Sequence, residues 1–158
     1  GLVFGMLVLH QDHLMLFFTG FSRKASEVAS EQIKQTPLRH QELTAMHQMV
    51  DKAVTVLADT AAPLEEFGKL LDQSWKLKRG LTQLISTNQI DAIYDRACKA
   101  GAIGGKLCGA GAGGFMLFFV PLEKKAQVKE ALKDLLHVPF QFENQGSQVI
   151  FNSPQDFV

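Results

Sequence analysis

Seven of the thirteen glycines fall between Gly101 and Gly114, and this crowding marks where the chain could do chemistry. Backbone N–H groups without Cβ atoms around them can close on an anion or a substrate oxygen, as phosphate-binding nests do. Lys106 stands inside the run and adds a positive charge. Gly109, Gly111 and Gly114 also spell G-x-G-x-x-G. In a dinucleotide site that spelling follows a strand and opens a helix, whose N-terminus meets the pyrophosphate. Here the run opens a strand, so the required context is lacking. A Walker A loop fails as well, because Gly105-Lys106 is followed by Leu107 where the Mg²⁺-binding Ser or Thr belongs. A structural use stands beside the chemical one: a tight hairpin packed under a helix takes glycine because no Cβ fits. On the residues alone both readings remain open.

Other residues are weaker candidates. Arg23 follows Ser22 at the expected start of a helix, where a guanidinium could take a phosphate through two hydrogen bonds with help from the helix dipole. Lys76, Lys78 and Arg79 read as a solvated face favoured by the C-terminal end of a helix. His10 and His13, and His40 and His47, lack further ligands at metal spacing and read as structural or surface residues. Asp91 and Asp95 lie one turn apart, but Asp91 suits a helix N-terminus in any case. Cys108 has no base beside it in sequence and is assigned no catalysis. The two cysteines are too few for a metal framework, and their sparseness suits a reducing cytoplasm.

The elements that must position these residues follow from periodicity. Leu14 to Thr19 is a short apolar run closed by Gly20, which predicts a buried strand. Ser22 can cap a helix to about Gln35, and Thr36-Pro37 restarts the chain. Leu43, Met46, Val50, Ala53, Val54 and Leu57 keep helical spacing. Pro63 opens another helix through Leu64, Phe67, Leu71 and Trp75 to near Gly80. Asn88 is the expected cap of a fifth, stopped by Gly101. Lys106 to Cys108 reads as extended, and Phe115 to Val120 as a central strand cut off by Pro121. Leu122 to Leu136 returns to helical spacing, and Phe140–Glu143 and Gln148–Phe151 are expected as closing strands around Gly146. Counting the helical block as one crossover gives the split βαββαβ order of a ferredoxin-like sandwich, hence an α+β fold with a multi-helix insertion.

Composition sets the outer bounds. The 158 residues are 46% hydrophobic and 20% charged, which excludes a disordered or collagen-like chain and allows one domain with a proper core. Sixteen basic and sixteen acidic residues cancel, whereas a nucleic-acid partner calls for a basic surplus. The apolar opening, Gly1 to Leu9, is too short to span a bilayer and lacks the flanks of a signal peptide. No nucleic acid and no membrane is therefore expected as a partner.

The run Lys99-Ala100-Gly101-Ala102-Ile103-Gly104-Gly105-Lys106-Leu107-Cys108-Gly109-Ala110-Gly111-Ala112-Gly113-Gly114-Phe115 resembles the third, C-terminal motif of the GHMP kinases. Within that superfamily it is similar to the D-glycero-D-manno-heptose 7-phosphate kinase branch. Phe18-Thr19-Gly20 with Arg23 and Ala25, Trp75-Lys76-Leu77-Lys78, and Ile90-Asp91 with Tyr94 carry the same likeness. The resemblance covers about Leu14 to Ile150. It implies a GHMP kinase C-terminal domain over residues 14–158, with residues 1–13 unassigned.

The family's N-terminal P-x-x-x-G-L-G-S-S phosphate loop has no counterpart here. The resemblance thus implies that an N-terminal ATP-binding domain would hold most of ATP and Mg²⁺. Gly109, Gly111, Gly113, Gly114, Lys106 and Arg23 are then expected to line the substrate and phosphate site, with no catalytic base in this chain. The substrate would be a sugar or sugar phosphate, a heptose 7-phosphate foremost. Self-association is expected where the other lobe would pack. Ala112 stands where another glycine belongs, and if that position needs positive φ the alanine would be strained. The alternative is a non-catalytic, small-molecule-binding ferredoxin-like module, since the fold alone does not decide function.

Overall fold

A computed structural model describes residues 11–21, 25–109, 111–143 and 145–148, with Ala25 in its backbone only. The elements run β1 (Leu14–Phe18), α1 (Ala25–Gln35), α2 (His40–Ala58), α3 (Glu65–Leu81), α4 (Asn88–Lys99), β2 (Gly104–Leu107), β3 (Phe115–Phe119), α5 (Lys125–Ala131) and β4 (Leu136–Val138). Short 3₁₀ turns at Thr36–Leu38 and Leu122–Lys124 lead into α2 and α5. The sheet is antiparallel with spatial order β2-β3-β1-β4. This is the ferredoxin-like arrangement, with α1 to α3 inserted into the first crossover.

The apolar run of β3 lies between β2 and the equally apolar β1, inside the sheet. Met116 and Phe118 face Phe17 and Met15 across the ladder, and all four are buried. On that face Phe118 meets Phe17 edge-on and Tyr94 of α4, which in turn lies beside Trp75 of α3. Val128 of α5 and Leu132 beyond it complete the same core. At the far corner of the opposite face, Phe119 packs on Phe67 of α3 and stacks on His13.

Helix α3 lies along the β2 edge at very short range. A Cβ built on Gly104 would stand 2.1 Å from the Gly68 carbonyl oxygen and 2.8 Å from the Asp72 nitrogen. Glycine at 104 lets helix backbone and strand backbone touch. The end of α4 is equally specific: Gly101, at φ +117°, and Ala102 donate to the Cys98 and Ala97 carbonyls in a Schellman motif.

Three expectations change. The N-cap of α4 is Thr87, whose hydroxyl accepts from the Ile90 N–H; Asn88 is already inside the helix. The helix expected from Leu122 to Leu136 ends at Ala131, and Leu136 begins a strand. Since β4 pairs with Leu16–Phe18 and so fills the position beside β1, Phe140–Glu143 forms no strand. Of the other expected closing strand, Gln148 is irregular and residues 149–151 lie outside the described residues, as do residues 1–10.

Candidate functional site

The glycine run is the hairpin loop from β2 to β3, closed at its neck by the Cys108 N–H donating to the Phe115 carbonyl at 2.8 Å. Gly109, Gly111, Gly113 and Gly114 have φ of +86°, +128°, +152° and +108°, backbone that side chains rarely adopt. Ala112, the departure from the family pattern, takes φ +62° and donates to the Ile85 carbonyl at 2.8 Å, with its methyl fully buried. The alanine therefore keeps the loop's path. Its left-handed conformation costs about 1–2 kcal/mol, against which the buried methyl and the hydrogen bond act.

The four glycines differ in what lies behind them. A Cβ at Gly111 would stand 2.9 Å from both the Cα and the oxygen of Ile85, and one at Gly113 would stand 2.6 Å from the Phe21 oxygen. Behind Gly109 and Gly114 there is open space. Gly111 and Gly113 thus seat the loop on the domain, whereas a Cβ at Gly109 or Gly114 would meet no neighbour within 4 Å. Gly111→Val combines a β-branched side chain with positive φ and a backbone clash. It is expected to destabilise the domain by about 3 kcal/mol or more, read as a lower midpoint in urea. A variant of wild-type stability and ligand affinity would remove any role for this position.

The end of β1 is tied to the same loop. Thr19 is buried; its N–H donates to the Gly114 carbonyl, and its hydroxyl donates to the Phe21 carbonyl while accepting from the Gly114 N–H at 3.0 Å. The Gly114 N–H also reaches the Phe21 carbonyl at 2.9 Å. Arg23 itself lies outside the described residues. Phe21, two positions before it, is fastened to the glycine loop.

The basic cluster at the end of α3 divides into three roles. Lys76 pairs with Asp72 on the surface. Arg79 pairs with Asp91 at 2.8 Å and lies over the Trp75 and Tyr94 rings, a structural placement. Lys78 departs from the expected solvated face: it is half-buried, and its Nζ donates to the Gly109 carbonyl at 2.8 Å. Burial and the nearby Lys106 charge both push its ammonium below the usual lysine range. Burial raises the Cys108 thiol against the pull of both lysines, which favours the protonated, unreactive form. Sequence reasoning missed Lys78 because its partner is 31 positions away, though the Trp75-Lys76-Leu77-Lys78 stretch pointed near it. Among the described residues no group of three or more His, Cys, Asp or Glu side chains could hold a metal ion.

The chain, whose β2–β3 hairpin carries this loop, matches the family of GHMP kinase C-terminal domains over residues 60–138 and belongs to that family. It is similar to the D-glycero-alpha-D-manno-heptose 7-phosphate kinase of Campylobacter jejuni, with 35% identity over 121 residues, 75% of this chain and 35% of that protein. The mevalonate kinase of Pyrococcus abyssi is 37% identical over 93 residues, 58% of this chain and 27% of its own length. The crystal structure of Methanococcus jannaschii mevalonate kinase superposes with a TM-score of 0.67 at 26% identity, covering 79% of this chain and 38% of that one. The chain spans about a third of the length of these curated relatives.

Proposed function

We propose that this chain is the C-terminal lobe, over residues 14–158, of an ATP-dependent sugar kinase. It would transfer a phosphoryl group to a hydroxyl of a sugar or sugar phosphate, a heptose 7-phosphate first among them. The observation that carries the substrate class is the 35% identity with the Campylobacter jejuni heptose 7-phosphate kinase over three quarters of the chain. Phosphoryl transfer needs positioning and charge neutralisation more than covalent chemistry from the protein. A phosphate at the loop is supported by the open space behind Gly109 and by the Lys78 ammonium on its carbonyl, with Lys106 near the end of β2 close by in the chain. Gly111 and Gly113 shape the loop from behind, and Arg23 would reach an anionic group of the acceptor. Mg²⁺ and most of ATP would be held by a second, N-terminal lobe, a division supported by the chain's spanning only 35% of the length of its Campylobacter jejuni relative. A cytoplasmic location agrees with this chemistry and with the two free cysteines.

Arg23 is the residue on which the acceptor assignment is tested. In an enzyme carrying both lobes, Arg23→Ala should raise KM for the sugar phosphate about tenfold or more, a loss of roughly 1.4 kcal/mol of binding, and leave KM for ATP nearly unchanged. Equal effects on both substrates would make Arg23 structural and remove it from the site.

A further inference from the structure

At the neck of the glycine loop, two lysines meet without a negative partner among the described residues. Lys78 comes from the last turn of α3 and Lys106 from β2, and both are only partly exposed. Lys78 Nζ holds the carbonyl of Gly109, the residue after Cys108, at 2.8 Å, and Lys106 stands two positions before Cys108; both charges bear on the Cys108 thiol. Lys76 and Arg79, which bracket Lys78 in sequence, each have a carboxylate; Lys78 instead spends one N–H on the Gly109 carbonyl. A surface strut would be expected to find an acid or open water. Two like charges brought together in a partly desolvated corner are expected where an anion completes the balance. The bond to Gly109 has a second consequence. A carbonyl oxygen at the mouth of an anion site repels the ligand, and an ammonium capping that oxygen cancels the repulsion.

We infer that Lys78 is a positioning residue of the phosphate site: it caps the Gly109 carbonyl and, with Lys106, presents a paired positive charge to a phosphate group. This rests on the phosphate reading of the loop and adds a residue from α3 to it. The phosphate could belong to the nucleotide or to a phosphosugar, and two probes separate these sources. The 158-residue chain is titrated calorimetrically with inorganic pyrophosphate and, separately, with mannose 6-phosphate. At least one probe should bind, and the tighter one identifies the source. Lys78→Met and Lys106→Met should each weaken it about tenfold. Lys78→Arg, which keeps the charge and a donor, should stay within about threefold of wild type.

Should Lys78→Met fail to fold, Lys106→Met leaves the Gly109 contact in place. The Lys78 side-chain NMR signals should then move with added anion in the wild type and much less in that variant. Absence of binding by either probe at millimolar concentration, or unchanged affinity in Lys78→Met, overturns the inference. The two failures are separable because binding needs no turnover. Anion binding without phosphoryl transfer by a two-lobe enzyme would sink the kinase reading alone. Full turnover with unchanged KM values in Lys78→Met would sink this inference alone.

Discussion

Gly104→Ala should destabilise the domain by about 4 kcal/mol or more, placing it among the exceptional single substitutions. The added methyl would sit 2.1 Å from the Gly68 carbonyl oxygen and 2.8 Å from the Asp72 nitrogen, both backbone atoms of α3. Relief requires the helix to move off the strand, and α3 also carries Trp75 into the core and Lys78 to the loop. Gly68→Ala, on the other side of the seam, is the control. Its methyl would meet the Phe119 ring at 2.8 Å and the Ile103 side chain at 3.0 Å, groups that can shift. It should cost about 1–3 kcal/mol. Urea unfolding of both variants measures the difference, and a Gly104→Ala protein as stable as Gly68→Ala would refute the close seam.

The second large effect is on activity. Supplied with ATP, Mg²⁺ and a panel of sugars and heptose phosphates, the 158-residue chain should show no turnover, against roughly 1–100 s⁻¹ for ordinary kinases. Phosphoryl transfer requires the triphosphate, the metal and the acceptor to be held in line. Toward this, the described residues supply the glycine loop with Lys78 at its neck and Lys106 in the preceding strand. Adding an N-terminal lobe, such as the matching part of the Campylobacter jejuni relative, should restore transfer. Turnover by the chain alone at an ordinary rate would overturn the half-enzyme reading.

Local patterns were legible in the sequence and long-range ones were not. The strands β1 and β3 stood out because two uninterrupted apolar runs bounded by Gly and Pro have few other uses. The glycine run announced an unusual backbone, and the positive φ values at Gly109 and over Gly111 to Gly114 agree with it. The tail misled because Leu132 and Leu136 are four apart, a helical interval, although the helix has ended and Leu136 is 65% exposed on the edge strand. Val50 and Val54, 58% and 61% exposed on α2, show that apolar spacing defines a helix but not which flank is covered. The task of Gly104 cannot be read without Gly68 opposite it, nor that of Lys78 without Gly109.

On the proposed phosphate role, the division of the glycines of β2 and the loop would tell working copies of this domain from retired ones. Gly104, Gly111 and Gly113 answer to neighbours within the fold, so a descendant that had lost its ligand would still need them. Gly109, at φ +86° with nothing behind it, answers only to backbone preference and to whatever approaches. Asn or Asp tolerates such a conformation better than other side chains. In a lineage released from ligand binding, that position should drift to Asn or Asp first, accompanied by loss of Lys78, while the rest of the motif persists. A search tuned to the whole glycine spelling would keep scoring such relics as kinases, and the pair Gly109 and Lys78 would separate them.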